Sequence, residues 1–302
     1  MFTPMLATLV DRPFSSQEWL YEKKFDGQRC LVVKEGGVVK LYSRNGLLLN
    51  KTYPELVEAF AKQKAVRFIV DGEIVAFDKD QESFAKLQTR MQRDQPLTHV
   101  KVHFYVFDLL KFNETDLRKK PLIQRKKLLK EKLSFGGLLH YVTHIKEQGE
   151  KLFQKAYKEG WEGVIAKRCD SLYHCKRSRE WLKFKCEKRE RFFIVGFTDP
   201  QGTRVGFGAL LVGYFKGDKL YYAGKVGTGY DRALLEKLSK KLKNSERKQL
   251  IFINQKTFPE GTHFVTPRYL CEVAFTEWTS AKRLRHPKFL YLVSAYGHHT
   301  SR

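Results

Sequence analysis

The chain is 302 residues long and carries 57 Lys and Arg against 33 Asp and Glu, a formal net charge of +24. A hydrophobic share of 42% supports real cores, and the length suits one large domain or two ordinary ones. The cationic excess is beyond what solubility needs and creates a field that draws polyanions, nucleic acid first among them. The five cysteines (Cys30, Cys169, Cys175, Cys186, Cys271) include no C-x-x-C pair, which argues against structural zinc. Widely spaced thiols in odd number fit a reducing cytosol. The N-terminal "MFTPMLATLVDRPF" lacks a basic n-region and does not read as a signal peptide. No apolar run approaches membrane-spanning length. A cytoplasmic protein without a membrane role is expected.

In chain order, "RCLVVKEGGVVKLYSR" reads as a hairpin, two β-branched runs around Glu35-Gly36-Gly37. "TYPELVEAFAKQK" is predicted helical, with Leu56, Val57 and Phe60 at helical spacing. "VRFIVDGEIVAFD" and "HVKVHFYVFDLL" are each a strand pair or a bent strand. "PLIQRKKLLKEKL" is predicted helical, with Pro121 in its first turn and Leu122, Leu128, Leu129 and Leu133 as its apolar side. "EQGEKLFQKAYKEG" is a further helix closed by Gly160. "GVIAKR" and "WLKFKC" are strands. After Cys186 the texture changes. "EKRERFF" reads as a charged connector, followed by short strands with glycine turns and one helix near "DRALLEKLSKKLK". Short strands at this density suggest a small barrel such as an OB-fold. The expected organisation is a larger α/β domain over 1–187 and a small barrel over 188–302, with a hinge near Lys188.

Four polar clusters stand out in this frame. They are Lys24-Phe25-Asp26-Gly27 with Arg29, then Asp71-Gly72-Glu73 inside an apolar strand, then "EGVIAKR", then Lys183 and Lys185 around Phe184. Residues two apart on a strand share a face, so Asp71 lies beside Glu73, and Lys183 beside Lys185. Two cations on one face repel unless an anion sits between them, and phosphate is one candidate. A solvated face is the alternative for each cluster taken alone.

The ordered series K-x-D-G, S-R-N-G, D-G-E, aromatic-Phe-Asp, E-G-V-x-x-K and W-L-K-x-K resembles that of the covalent nucleotidyltransferases. Among these the chain is most similar to ATP-dependent DNA ligases. The stretches "GFGALLVGYFKGDKLYYAGKVGTGY" and "EVAFTEWTSAKRLRHPKF" resemble the ligase module of bacterial end-joining enzymes of the ligase D type and stand-alone relatives. The resemblance implies an α+β protein, an adenylation domain followed by an OB-fold. It implies sealing of nicked or broken duplex DNA in repair, with ATP and Mg²⁺ (or Mn²⁺) as cofactors. It makes Lys24 the nucleophile, and Lys23 only a neighbour. Glu22 would meet the adenine amino group, Phe107 would stack on the base, and Arg29 and Glu73 would hold the ribose. Arg44 would approach the ribose or the nick phosphate, and Arg177 would lie near the nucleotide. Lys183 and Lys185 would meet phosphate, and Glu73 and Glu162 would serve a metal ion. Asp26 would brace the Lys24 loop. Lys167 would touch phosphate or face solvent.

The "RLRHP" segment matches the start of the last family motif, but the Arg-x-Asp-Lys that follows in relatives is replaced by "FLYLVSAYGHHTSR". Arg283 or Arg285 would then be the candidates to compensate in orienting pyrophosphate. The lysine-rich "RKKLLKEK" and "KLSKKLKNSERK" are candidate DNA-binding patches, and solvated helix faces are the alternative. A monomer is expected, nucleoid-associated if bacterial, with Ku or other end-joining proteins as possible partners. The alternatives are an RNA ligase or capping-type nucleotidyltransferase, or a nick-binding relative impaired in self-adenylylation.

Overall fold

The computed structural model describes residues 3–79, 81–92, 99–279 and 281–295. Part of "FLYLVSAYGHHTSR", the stretch that stands in place of Arg-x-Asp-Lys, lies outside the described residues. The chain divides into two compact units, Met1–Cys186 and Glu187–Arg302.

The strands of the first unit are β1 (Leu6–Leu9), β2 (Trp19–Lys24), β3 (Gln28–Glu35), β4 (Val38–Ser43), β5 (Arg67–Asp78), β6 (Gln81–Glu82), β7 (Val102–Phe112), β8 (Thr115–Asp116), β9 (Leu139–Tyr141), β10 (His144–Lys146), β11 (Gly163–Arg168) and β12 (Arg177–Lys185). Its helices are α1 (Pro54–Ala61), α2 (Phe84–Met91), α3 (Leu122–Lys132) and α4 (Gly149–Lys158). One sheet runs β1-β12-β11-β2-β10, and the other runs β4-β3-β5-β7-β8, with β6 on β5 and β9 on β7. The stretch "VRFIVDGEIVAFD" is one long strand, not a pair, and is central in its sheet.

Three apolar clusters hold these layers. Between the sheets lie Leu20 and Trp181 from the first sheet, Leu31, Ile69, Phe107 and Leu110 from the second, and Leu122 of α3. Outside the second sheet, Leu56 and Phe60 of α1, Leu87 of α2 and Leu129 of α3 pack on Val32, Val70 and Phe104. Outside the first sheet, Ala156 of α4 packs on Tyr21, Val164 and Phe184. The α4 helix ends as its sequence requires. Gly160 takes φ 69°, Trp161 N–H donates to Ala156 O at 2.9 Å, and Gly160 N–H donates to Tyr157 O at 3.4 Å. This is a Schellman closure, which favours glycine at that position.

Three sequence expectations change. The α2 helix, capped by Ser83, was not foreseen. Pro121 caps α3 instead of standing in its first turn. The inner face of α3 also includes Arg125 and Lys126, both buried, so two cations of "RKKLLKEK" point inward and do not belong to a surface patch.

The second unit has β13 (Lys188–Thr198), β14 (Leu210–Lys216), β15 (Lys219–Val226), β16 (Glu246–Arg247), β17 (Thr262–Phe275) and β18 (Lys288–Ala295), with α5 (Arg232–Lys243). The order is β15-β14-β13-β17-β16, and β18 also pairs with β17. The sheet curls back on itself. Leu284 N–H donates to Ala223 O at 2.8 Å, and Phe289 N–H donates to Thr228 O at 3.0 Å. Phe192 and Ile194 face one core, and Phe193 and Val195 face the other. A bulge between Ile194 and Gly196 then returns Phe197 to the first core. The helix α5 starts at Asp231, whose side chain accepts from Leu234 N–H at 2.7 Å. The expected charged connector is largely strand: Lys188–Arg191 is the first part of β13 and pairs residue by residue with Phe275 through Glu272 of β17. Cys186 and Glu187 alone separate β12 from β13.

Candidate active site

The pocket opens between the two sheets of the first unit. Glu22, Lys24, Ile165, Lys167, Trp181 and Lys183 line it from one sheet, and Arg29, Glu73 and Phe107 from the other. Arg44 and Arg177 are exposed and line it as well. Lys185 reaches the site through Glu162, 4.0 Å away.

Lys24 ends β2, where Gly163 of β11 is its ladder partner. Its ammonium is paired with the Glu162 carboxylate. Glu162 therefore stands between Lys24 and Lys185, and it is the anion that relieves the cation pair on β12. Lys183 has a lowered pKa, first because of burial and then through repulsion by Lys24, Lys185 and Arg177. Lys23 turns the other way. Its Nζ lies 2.6 Å from Glu82 and 4.6 Å from the Trp161 ring centre. The expected brace of the Lys24 loop falls partly to Glu82, which accepts from Asp26 N–H at 3.0 Å.

The motif glycines are explained by close approach. A methyl on Gly163 would lie 1.9 Å from Phe184 O, and one on Gly27 would lie 2.2 Å from Ile74 O. These strands pass where a side chain has no room.

Arg29 is more committed than its sequence suggested. Its guanidinium donates to Asp71 through Nε at 2.5 Å and Nη2 at 2.6 Å, and Nη2 reaches Met5 O at 3.2 Å. Tyr173 donates to the same carboxylate at 2.5 Å. The guanidinium lies 4.5 Å from the Phe107 ring centre. Phe107 occupies a bulge: Asp71 pairs with Asp108, while Gly72 pairs with Val106. The extra residue re-aims its side chain.

Glu22 is 2% exposed. Burial alone would raise its pKa, yet Lys126 and Lys167 hold it below the ordinary carboxylate value. Lys126 donates to one carboxylate oxygen at 2.5 Å, and Lys167 Nζ stands 2.6 Å from the other. Two cations thus share one carboxylate. Burial lowers the pKa of Lys167 to about 8. Its Nζ lies 4.2 Å from each of the Phe107 and Trp181 ring centres. Lys167 is buried, which overturns the solvent-facing alternative.

Burial pushes the Glu73 carboxyl up to about 8, against Arg29 and Lys24, with Glu162 and Asp71 adding repulsion. Among the described residues, no three His, Cys, Asp or Glu side chains gather as a metal cluster. A magnesium ion that retains waters and phosphate oxygens needs only one or two carboxylates, so Glu73 and Glu162 fit one bound together with nucleotide.

Arg283 and Arg285 belong to the second unit. Arg283 donates to Tyr222 O at 2.9 Å, Asn254 O at 3.0 Å and Gln255 Oε1 at 2.5 Å, so its donors serve the fold of that unit. Arg285 pairs with Glu277 at 2.7 Å. Sequence reasoning missed Asp71 as the partner of Arg29, and it missed Tyr173, Trp181 and Lys126. Asp71 carried a signal as an acid in an apolar strand. Lys126 carried none, because it was hidden in a run of cations.

Among the described residues, no helix is long and apolar enough to cross a membrane. Residues 4–185 match the family described as ATP dependent DNA ligase domain, and 203–293 match the ATP dependent DNA ligase C terminal region. The chain is 34% identical over 294 residues to the multifunctional non-homologous end joining protein LigD of Pseudomonas aeruginosa, covering 95% of this chain and 34% of the relative. It is also 32% identical over 314 residues to DNA ligase 1 of Methanosarcina acetivorans, covering 89% of this chain and 54% of that protein. The chain thus spans only about a third of the LigD relative. A solved structure described as mycobacterial DNA ligase D complexed with ATP and MES matches at 32% identity and a TM-score of 0.56, over 96% of this chain and 94% of that one. With the fold, the pocket and both matched regions in agreement, the chain belongs to the ATP-dependent DNA ligase family.

Proposed function

We propose that the protein seals nicked or broken duplex DNA through a covalent lysyl-AMP on Lys24. The observation that carries this reading is the position of Lys24 at the pocket between the two sheets, which Lys183, Arg44 and Arg177 also line, with its ammonium paired with Glu162. In the first step the Lys24 amine sheds a proton and attacks the α-phosphorus of ATP, and pyrophosphate leaves. AMP then passes to the 5′-phosphate of the DNA, and the 3′-hydroxyl displaces it. Lys183 and Lys185 offset charge that develops on the transferring phosphoryl group. Phe107 supplies a stacking face for the base, and Glu22, fixed by its two lysines, presents a carboxylate to the base edge. Arg29 and Glu73 face the sugar. Glu73 and Glu162 would hold Mg²⁺, which when bound neutralises phosphate charge.

The test is incubation with α-labelled ATP and Mg²⁺, followed by a nicked duplex. The expected result is acid-labile AMP on the protein, discharged on addition of DNA with sealing. Lys24→Ala should lower labelling by at least a thousandfold, on the order expected for loss of a nucleophile. Label that persists in this variant, or GMP attached in place of AMP, would sink the reading.

The LigD relatives are named for non-homologous end joining, which supports a role in repair and a Ku-type partner. Addition of Ku at low salt should stimulate sealing of double-strand ends, and absence of stimulation would remove that partner.

A further inference from the structure

A second cleft in the first unit shares no lining residue with the nucleotide pocket. Its walls carry Lys79, Lys86 and Lys101, and its floor carries Tyr105, His103 and His140. Lys86 is held by Asp78 at 2.7 Å. Lys79 and Lys101 are exposed and make no ion pair among the described residues. The floor is preorganised: His103 Nδ1 and His140 Nε2 are 2.8 Å apart, and Tyr105 stacks on His140 with ring centres at 5.0 Å and planes at 22°.

The two pockets are joined by one ring. Phe25, next to Lys24, lines the nucleotide pocket and stacks on Tyr105 at 4.1 Å and 25°. Unpaired lysines hold a duplex without reading its sequence by meeting backbone phosphates, and here they stand beside a rigid stack in which Tyr105 is packed against Phe25 and His140. A DNA end that takes AMP from Lys24 must put its 5′-phosphate at the mouth of the nucleotide pocket, and the chain behind that phosphate must leave over an adjoining surface.

We propose that this cleft, through Lys79 and Lys101 and the Tyr105–His140 floor, is the track for the DNA strand that adjoins the reacting end. The inference rests on the ligase reading but is tested apart from it. Binding of a nicked duplex is measured without ATP across a salt series, for the wild type, for Lys79→Ala/Lys101→Ala, and for a control of equal charge change, Lys62→Ala/Lys64→Ala, also exposed. AMP labelling without DNA is measured in parallel.

The cleft variant should bind about tenfold more weakly and lose about two units of the log Kd against log salt slope, one for each phosphate contact removed. Its labelling should match the wild type, which also shows that it folds. Unchanged affinity and slope, or an equal loss in the control, would overturn the proposal. Failure of the wild type to take AMP would instead count against the ligase reading, and the binding comparison would still judge the cleft.

Discussion

Glu73 illustrates how position sets chemistry at a single residue. Its carboxyl rises from an ordinary 4.5 to about 8 because burial disfavours the anion. The native state therefore holds a proton that the unfolded chain releases at lower pH. Stability from this group is full below about pH 4.5 and is lost as pH rises through about 8. The slope is no steeper than about 1.4 kcal/mol per pH unit. Urea unfolding from pH 5 to pH 8.5 should show the wild type losing stability relative to Glu73→Gln, whose side chain does not titrate. Parallel curves would show that Glu73 is an ordinary acid.

Gly163 gives a second residue-scale expectation, since a methyl there would strike Phe184 O at 1.9 Å. Gly163→Ala should separate β11 from β12 beside Glu162, lowering Tm and weakening AMP labelling at least tenfold. Gly37→Ala, where a methyl meets nothing within 4 Å, should stay within about 0.5 kcal/mol of wild type.

At the scale of elements, α3 is tied to β7 by charge as well as by packing. Arg125 donates to both oxygens of Asp108 at 2.8 and 2.9 Å, and neither side chain is exposed. Removing one partner strands a buried charge, so Arg125→Met should cost about 3–5 kcal/mol in denaturant unfolding. Adding Asp108→Asn should recover part of that loss, and a double variant no better than the single would contradict the pairing. This helix also shows what the sequence hid. Periodicity located α3 from its leucines, but Arg125 and Lys126 look like their solvated neighbours until Asp108 and Glu22, distant in sequence, are brought beneath them. The same holds for Arg29, whose motif position was legible while its bond to Asp71 was not. Helix α2 left a faint trace: its two buried residues, Leu87 and Arg90, are too few to set a period. Strand motifs were easier. The lysine pair on β12 and the acid pair on β5 follow from alternation alone, and the glycines beside Glu73 and Glu162 mark a backbone approach even where the neighbour is unknown.

For the molecule as a whole, the +24 charge is spread unequally in purpose. Lys126 and Lys167 spend theirs on Glu22, Arg125 on Asp108, and Arg29 on Asp71. The exposed lysines Lys237, Lys240, Lys241 and Lys243 of α5 remain for solvent or polyanions. The four paired cations meet three carboxylates and so add only +1 to the net charge, and nearly all of the excess belongs to side chains outside these pairs.

The early start of β13 bears on where this chain can be divided. A charged run such as Lys188–Arg191 invites a cut after it, yet those four residues already form ladder pairs with β17. A fragment beginning at Phe192 would expose the edge of a 14-residue strand, whereas one beginning at Glu187 would keep that edge covered. Prepared side by side, the longer fragment should melt cooperatively and the shorter should melt lower or aggregate, as open strand edges do. Equal melting of the two would show that the polar run adds nothing to its sheet.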